Sequence, residues 1–388
     1  MDSLFLKQER MLAQTSTNIV RELMNKIHWN NRLIAIRGSR GLGKTTLISR
    51  VALYCTLDSI YFSSHTLLEL VEKFYLQGGK HLFLDEVHKY PTWSKELKEI
   101  YDLYPSMQIV FSGSSLLNIL NADADLSRRC LPYNMYGLSF REFLMFYKNI
   151  RIPVASLEEV LKNAGEICQG INEQCRPVQM FNEYLHDGYY PFFTGNREDY
   201  YMNIENVVNF ILEQEMPLLC GVDPAYVRKL KALLSILASS VPYEVDITKL
   251  AGIIGLTRNS VITYLQNLDR AELLKLLYSD LTSVKKMQKP DKIYLQNPNL
   301  LYAIASTSVQ IGTARETFVM SQLSVNHEIE YGKAQGDFVV DHKYTFEVGG
   351  ADKTFKQIAD LPNSFILADN IEYATGKKLP LWIVGLTY

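Results

Sequence analysis

No stretch of this 388-residue chain approaches the roughly 18 consecutive apolar residues that a membrane span requires, so no membrane association is expected. Cysteine is sparse. The five present, Cys55, Cys130, Cys168, Cys175 and Cys220, form no CxxC pair, have no partner histidines at metal-ligand spacing and are odd in number. A disulfide scaffold and a structural zinc site are thereby set aside in favour of reduced, mostly buried thiols. Net charge is lacking too: 40 basic residues stand against 42 acidic ones, so any contact with nucleic acid must come from a local patch. The amino terminus lacks the uninterrupted apolar stretch of a secretory signal, because Lys7, Glu9 and Arg10 interrupt it, and a cytoplasmic location is expected. Low-complexity tracts and internal repeats are absent as well.

What is present is the composition of an ordinary folded protein, 47% hydrophobic and 21% charged. At about 150 residues per domain, the length predicts two or three domains. From residue 33 to about 137, short apolar runs alternate with amphipathic stretches, the βα pattern of a mostly parallel sheet. This predicts strands at 33–36, 59–62, 81–84 and 108–111, and helices at 45–57, 66–76 and 93–101. Residues 140–219 read as mainly helical, broken near Asp187-Gly188 and at Pro191, which suggests a helical lid. Three helical patterns follow at 224–237, 247–254 and 257–268, the last two joined by Gly255-Leu256 at helix-turn-helix spacing. Lys285, Lys286, Lys289 and Lys292 would form a β-wing. From Asn297 a second α/β pattern predicts a helix at 314–323 and strands at 337–340, 344–348, 364–367 and 381–384. The expected division is a core at 1–139, a lid at 140–220, a winged helix-turn-helix at 221–296 and a last α/β domain at 297–388.

Chemistry concentrates in the first third. Gly38, Ser39, Arg40, Gly41, Leu42, Gly43, Lys44 and Thr45 fit G-x-x-x-x-G-K-[ST] without deviation, entered by an apolar strand and left by an amphipathic helix. By chance the four fixed positions would match in on the order of one chain per hundred of this length. Glycines let consecutive N–H groups turn inward on phosphate oxygens at a helix amino terminus whose dipole favours anions. Lys44 should reach the β- and γ-phosphates of ATP and Thr45 should place its hydroxyl on Mg²⁺, with Thr46 next in the nucleotide-binding set. The bland alternative is a glycine-rich turn that binds nothing.

About 40 residues on, an apolar strand ends in Asp85 and Glu86. Asp85 can hold magnesium through water, and Glu86 sits where a base would orient the attacking water; a solvated strand end is the alternative. Another strand ends in Ser112-Gly113-Ser114-Ser115, where Ser112, then Ser114, could feel the γ-phosphate or merely cap the next helix. Arg128 and Arg129 follow in a polar loop, and an arginine presented to a neighbouring subunit's γ-phosphate can neutralise transition-state charge.

Residues 38–45, Leu82-Phe83-Leu84-Asp85-Glu86, Phe111-Ser112-Gly113-Ser114-Ser115, Leu126-Ser127-Arg128-Arg129, Leu138-Ser139-Phe140-Arg141-Glu142-Phe143 and Asp187-Gly188-Tyr189-Tyr190-Pro191 resemble the bacterial and archaeal AAA-type ATPases that carry a DUF4143 carboxy-terminal region. The resemblance covers nearly the whole chain. Its phosphate-loop motifs are specific to the superfamily, and the last two segments point to the family. It implies an Mg-ATP-dependent ATPase with a winged-helix element and a restriction-nuclease-like α/β fold. The family pattern reads Leu-Ser-Gly-Arg; Arg128 replaces that glycine here, so Arg129 is the residue carried over.

A nuclease of that type needs carboxylates converging on one or two Mg²⁺ ions, and a lysine two residues past the second acid. Asp337 and Glu347 lie on consecutive predicted strands and Glu316 on the preceding helix, but Gly349-Gly350 stand where the lysine should. Lys353 comes four residues later and would serve only if a turn folded it back. A fold without cleavage is therefore expected. In the helix-turn-helix, Arg258, Asn259 and Ser260 are candidate base readers with the lysines of 285–292 on phosphate; a structural linker or protein-contact surface fits equally. The functions that remain are an ATPase driving DNA- or protein-binding modules, a nucleotide-switched regulatory protein and an ATP-dependent nuclease, with a homo-oligomer compatible with each.

Overall fold

The computed structural model describes residues 4, 6, 8–10, 20–42, 44, 53–114, 126, 128–240, 243–244, 246–279, 289–305, 309–333 and 335–388. The chain forms two compact units, Met1–Tyr136 and Gly137–Tyr388.

The first unit is built on a five-stranded, all-parallel sheet of β1 (Leu33–Arg37), β2 (Leu53–Thr56), β3 (His81–Asp85), β4 (Gln108–Gly113) and β5 (Leu131–Asn134), in the order β2-β3-β4-β1-β5. β1 and β3 are buried almost throughout, as parallel strands covered on both faces must be. α1 (Leu67–Leu76) starts in a reciprocal capping box between Thr66 and Glu69 and buries Leu67, Leu70, Val71 and Phe74. α2 (Trp93–Leu103) buries Trp93, Leu97 and Ile100.

Two expectations are corrected here. A strand occupies 53–56, where a helix was predicted to run on to residue 57: Leu53 and Cys55 face the core in alternation with half-buried Tyr54 and Thr56, and the strand pairs with β3. The rest of that predicted helix, 45–52, lies outside the described residues. The strand predicted at 59–62 is a 3-10 turn, Ile60–Ser63, because the Ser59 side chain accepts from the Tyr61 N–H and caps it. β5 was not foreseen. Pro132 and a largely exposed pattern disguise it, and both are tolerated at a sheet edge.

The second unit begins with helices α3 (Phe140–Lys148), α4 (Leu157–Lys162), α5 (Ala164–Asn172), α6 (Pro177–Asp187) and α7 (Arg197–Phe210). α8 (Val227–Ser240), α9 (Ile247–Ile254) and α10 (Arg258–Arg270) follow, beside a small antiparallel sheet of β6 (Tyr243–Glu244), β7 (Leu274–Leu277) and β8 (Lys292–Leu295). Gly255, at φ +67, ends α9 in the left-handed conformation, and Thr257 caps α10. α11 (Pro298–Ala305) and α12 (Ile311–Leu323) lead to a mixed sheet of β9 (Ile329–Tyr331), β10 (Phe338–Val340), β11 (Tyr344–Gly349), β12 (Ser364–Ala368) and β13 (Lys378–Pro380), ordered β13-β12-β11-β10-β9.

The strand predicted at 381–384 is instead a 3-10 helix, Leu381–Leu386, buried on every side, so its apolar run carried no alternation to separate the two. Aromatic contacts bind α3, α6, α12 and this turn into one core, with Phe181–Phe318 centroids 4.7 Å apart and Phe140–Trp382 centroids 6.4 Å apart. The Ser139-to-Phe143 motif is structural. Ser139 and Glu142 form a capping box, and Ser139 Oγ and Arg141 Nε both donate to the Tyr388 carbonyl. Asn299 on α11 knits the Asp187-to-Pro191 segment in place: its Oδ1 accepts from Tyr189 N and Tyr200 Oη, and its Nδ2 donates to the Tyr184 and Leu185 carbonyls.

Candidate nucleotide site

β4 lies between β1 and β3, in a register that sets Ile36 opposite Ser112 and Leu84 opposite Phe111. The turn after β1, Asp85 at the end of β3 and Ser112 on β4 therefore meet at the carboxyl edge of the sheet, where open α/β sheets bind ligands. Gly38 is required by close approach, since a Cβ there would stand 2.3 Å from the Met135 carbonyl oxygen. Gly41 turns the chain at φ +83. Lys44 is buried and donates from Nζ to the carbonyls of Gly38 at 2.6 Å and Ser39 at 2.8 Å. Ser39 and Leu42 are buried and Arg40 is exposed; Gly43, Thr45 and Thr46 lie outside the described residues.

Asp85 is 3% exposed. Tyr54 Oη donates to its Oδ2 at 2.8 Å, the Glu86 N–H to its Oδ1 at 3.0 Å, and Ser112 Oγ also to Oδ1. Ser112, predicted to face a phosphate, is thus engaged with Asp85. Burial, and then the Asp85 charge, pushes the Tyr54 hydroxyl far above its ordinary range, so it stays a donor. Glu86 adopts the left-handed conformation at φ 54, ψ 40, a cost of about 1 kcal/mol or more for a residue with a side chain. It leads into a 3-10 turn, Val87–Lys89, that buries His88. Among the described residues neither His88 ring nitrogen has a hydrogen-bond partner, and Nε2 stands 3.5 Å from Glu86 Oε2.

Arg129 is held elsewhere. It pairs with Asp102 on α2 at 2.7 Å and lies 5.4 Å from the Tyr101 ring, whose face Arg32 also covers at 3.9 Å. Arg32 immediately precedes β1, whose five residues put about 16 Å between this cluster and the phosphate turn. Arg129 is not brought to its own chain's site.

Three residues of the site escaped sequence reasoning. Arg21, buried, donates to the Leu42 carbonyl at 3.0 Å and the Tyr136 carbonyl at 2.7 Å, bracing the turn; it stands 17 positions before the motif, with no sequence signal. Tyr54 fell inside a predicted helix. His88, two residues past the acid pair, was a titratable group beside the candidate base and could have been flagged.

In the second unit the chain does fold Lys353 back: its Nζ meets Glu347 Oε1 at 2.5 Å. A Cβ at Gly349 would crowd the Lys353 side chain at 2.8 Å, so the glycine standing where a lysine was expected makes room for this one. Tyr294 Oη donates to Glu316 at 2.7 Å, and Val348 N to Asp337 at 2.8 Å. Burial first, and then Asp337, raises the Glu316 carboxyl; burial raises that of Glu347. Among the described residues no three metal-ligating side chains converge. Lys292, expected on nucleic-acid phosphate, is buried on β8, 3.8 Å from Glu316 and 4.6 Å from the Tyr331 ring centroid. Arg258 and Asn259 are exposed at the start of α10, and Lys289 is described, but Lys285 and Lys286 are not among the described residues.

A parallel sheet with a glycine turn after β1, and an acid pair on a strand one removed from it, is the arrangement that the P-loop motif implies. Residues 30–144 match the family AAA_14, described as an AAA domain. Residues 178–310 match DUF8612, a domain of unknown function, which corrects the expected DUF4143. The uncharacterized protein MJ1637 of Methanocaldococcus jannaschii is 28% identical over 303 residues, covering 71% of this chain and 63% of its own length. MJ1544 of the same organism is 24% identical over 270 residues, covering 64% and 56%. The chain thus spans about three fifths of the length of these curated relatives. Among solved structures, a RuvB variant of Thermotoga maritima aligns at 13% identity and TM-score 0.27, over 71% of this chain and 89% of its own. An Hsp104–ADP complex of S. cerevisiae aligns at 16% identity and TM-score 0.30, over 68% and 41%. No helix among the described residues is long and apolar enough to cross a membrane.

Proposed function

We propose that the protein binds Mg-ATP at the carboxyl ends of β1, β3 and β4 and hydrolyses it. The observation that carries this reading is a buried lysine folded onto the carbonyls of a glycine turn, beside a buried aspartate that three hydrogen bonds orient. Lys44 exchanges the Gly38 and Ser39 carbonyls for β- and γ-phosphate oxygens, and the amides of residues 38–46 take the remaining phosphate charge. Thr45 and Asp85 would hold magnesium, the first through its hydroxyl and the second through its carboxylate, and the ion would supply positive charge against the phosphates. Tyr54 and Ser112 fix the rotation of Asp85. Glu86 orients and deprotonates the attacking water, and Arg129 serves a neighbouring copy's site.

In this reading residues 1–139 are the motor and 140–220 a helical lid. The winged helix-turn-helix of 221–296 and the α/β domain of 297–388 are the modules it resets on DNA or protein. Three helices beside an antiparallel three-stranded sheet support the winged-helix part. Glu86→Gln is expected to bind ATP with unchanged affinity while turnover falls about 10²- to 10⁴-fold. Lys44→Ala is expected to abolish binding in a calorimetric titration. Full turnover by Glu86→Gln would remove that residue from the mechanism. A switch with negligible turnover is separated from a motor by phosphate release measured with and without DNA.

A second reading, an ATP-dependent nuclease, is favoured by the return of Lys353 to Glu347 beside Asp337 and Glu316. Strand cleavage with Mg²⁺ or Mn²⁺ that Asp337→Ala abolishes would establish it; no cleavage by the wild type removes it.

A further inference from the structure

His88 is the buried polar group that the proposed reaction leaves unused. Its side chain is wholly enclosed, yet both ring nitrogens lack hydrogen-bond partners among the described residues, at a cost of about 1–3 kcal/mol for each group left unsatisfied. Buried polar atoms are rarely stranded without a reason. Its Nε2 stands 3.5 Å from Glu86 Oε2, too long for a good hydrogen bond. Glu86 itself sits in a left-handed backbone conformation at the start of the 3-10 turn that carries His88. Two costs, an unsatisfied imidazole and a strained glutamate, thus fall two residues apart, with their side chains 3.5 Å from each other.

We propose that His88 is a positioning residue for Glu86: Nε2–H donates to Oε2 of the glutamate when nucleotide is bound, which leaves Oε1 to take the proton of the attacking water. Catalytic hydrogen bonds that are long without substrate commonly tighten in its presence. The imidazole suits this role because burial first, and then the Lys89 and Lys44 charges, lowers it to about 4, so at neutral pH it is an uncharged donor that cannot neutralise the base it holds. A protonated partner would form a firm ion pair with Glu86 and take away its basicity.

The inference rests on Glu86 being the base, and the test separates the two. His88→Ala and His88→Asn are expected to lower kcat by about 10- to 100-fold, the loss typical of a misplaced reacting group, while the affinity for a fluorescent ATP analogue changes less than about threefold. His88→Gln, whose amide nitrogen reaches the position of Nε2, should recover most of the rate. In a double-mutant cycle, Glu86→Gln with His88→Ala should be no slower than Glu86→Gln alone, because His88 acts only through the missing carboxylate. A full rate in His88→Ala with Glu86→Gln still inactive would overturn the role of His88 alone. Multiplying losses in the double variant, or no recovery in His88→Gln despite intact ATP binding, would do the same. Full turnover in Glu86→Gln would remove both.

Discussion

At the scale of single residues the proposed nucleotide site is a set of buried polar groups, most of them held by a named neighbour. Asp85 keeps its rotation through Tyr54, Ser112 and the Glu86 amide. Arg21 braces the turn through the Leu42 carbonyl. His88 is enclosed without such bonds, and this gives stability a defined pH dependence. The unfolded imidazole takes up a proton below about 6.5, the folded one only below about 4. Folding is therefore fully favoured above about 6.5, and this contribution is lost as pH falls from there to about 4, to a ceiling of about 3 kcal/mol. Carboxylates also titrate in this range, but equally in a variant. Urea unfolding of wild type and His88→Gln at matched pH between 4 and 7 should show a shallower loss of stability in the variant; parallel curves would mean that His88 is protonated in the folded chain.

At the scale of elements, what was legible depended on whether a residue's role was local. The phosphate turn, β1, β3, β4 and the helix capped by Thr66 were readable because caps, apolar runs and glycine spacing act over a few positions. β2 and β5 were not, since the burial of Leu53 and the edge position of Pro132 are decided by distant strands. Of the candidate site, Lys44, Asp85 and Ser112 stand at strand ends and a turn that local motifs mark, while Arg21, Tyr54 and the return of Lys353 depend on tertiary folding that no spacing encodes. The Asp187-to-Pro191 segment shows how such a distant decision is enforced. A Cβ at Gly188 would stand 2.7 Å from the Tyr184 Cα, and Asn299, fully buried, satisfies two donors and two carbonyls of α6, α7 and the segment between them. Asn299→Ala removes all four bonds, leaving the Tyr184 carbonyl only its bond from the Gly188 N–H, and should lower the opening free energy of α6 and α11 by about 3 kcal/mol in hydrogen exchange. A drop below about 1 kcal/mol would mean that water replaces the amide without loss.

At the scale of the whole molecule, Arg129 is the residue whose placement bears on assembly. With Asp102, Tyr101 and Arg32 it sits at the amino end of β1, and the phosphate turn follows the carboxyl end. A separation of about 16 Å along a rigid strand exceeds the reach of an arginine side chain, so Arg129 would not touch a γ-phosphate bound at its own chain's turn. If it contributes to hydrolysis, it does so in a second copy. Arg129→Ala and Glu86→Gln would then each be slow alone, the first for want of the cation its neighbour supplies and the second for want of its own base. Mixed, they would complement, because an Arg129→Ala subunit with intact Glu86 can receive Arg129 from a Glu86→Gln partner. The expected outcome is phosphate release from the equimolar mixture well above the mean of the two separate rates, rising with total protein concentration. The mean itself, independent of concentration, would show that Arg129 remains paired with Asp102 through the cycle and that each chain works alone.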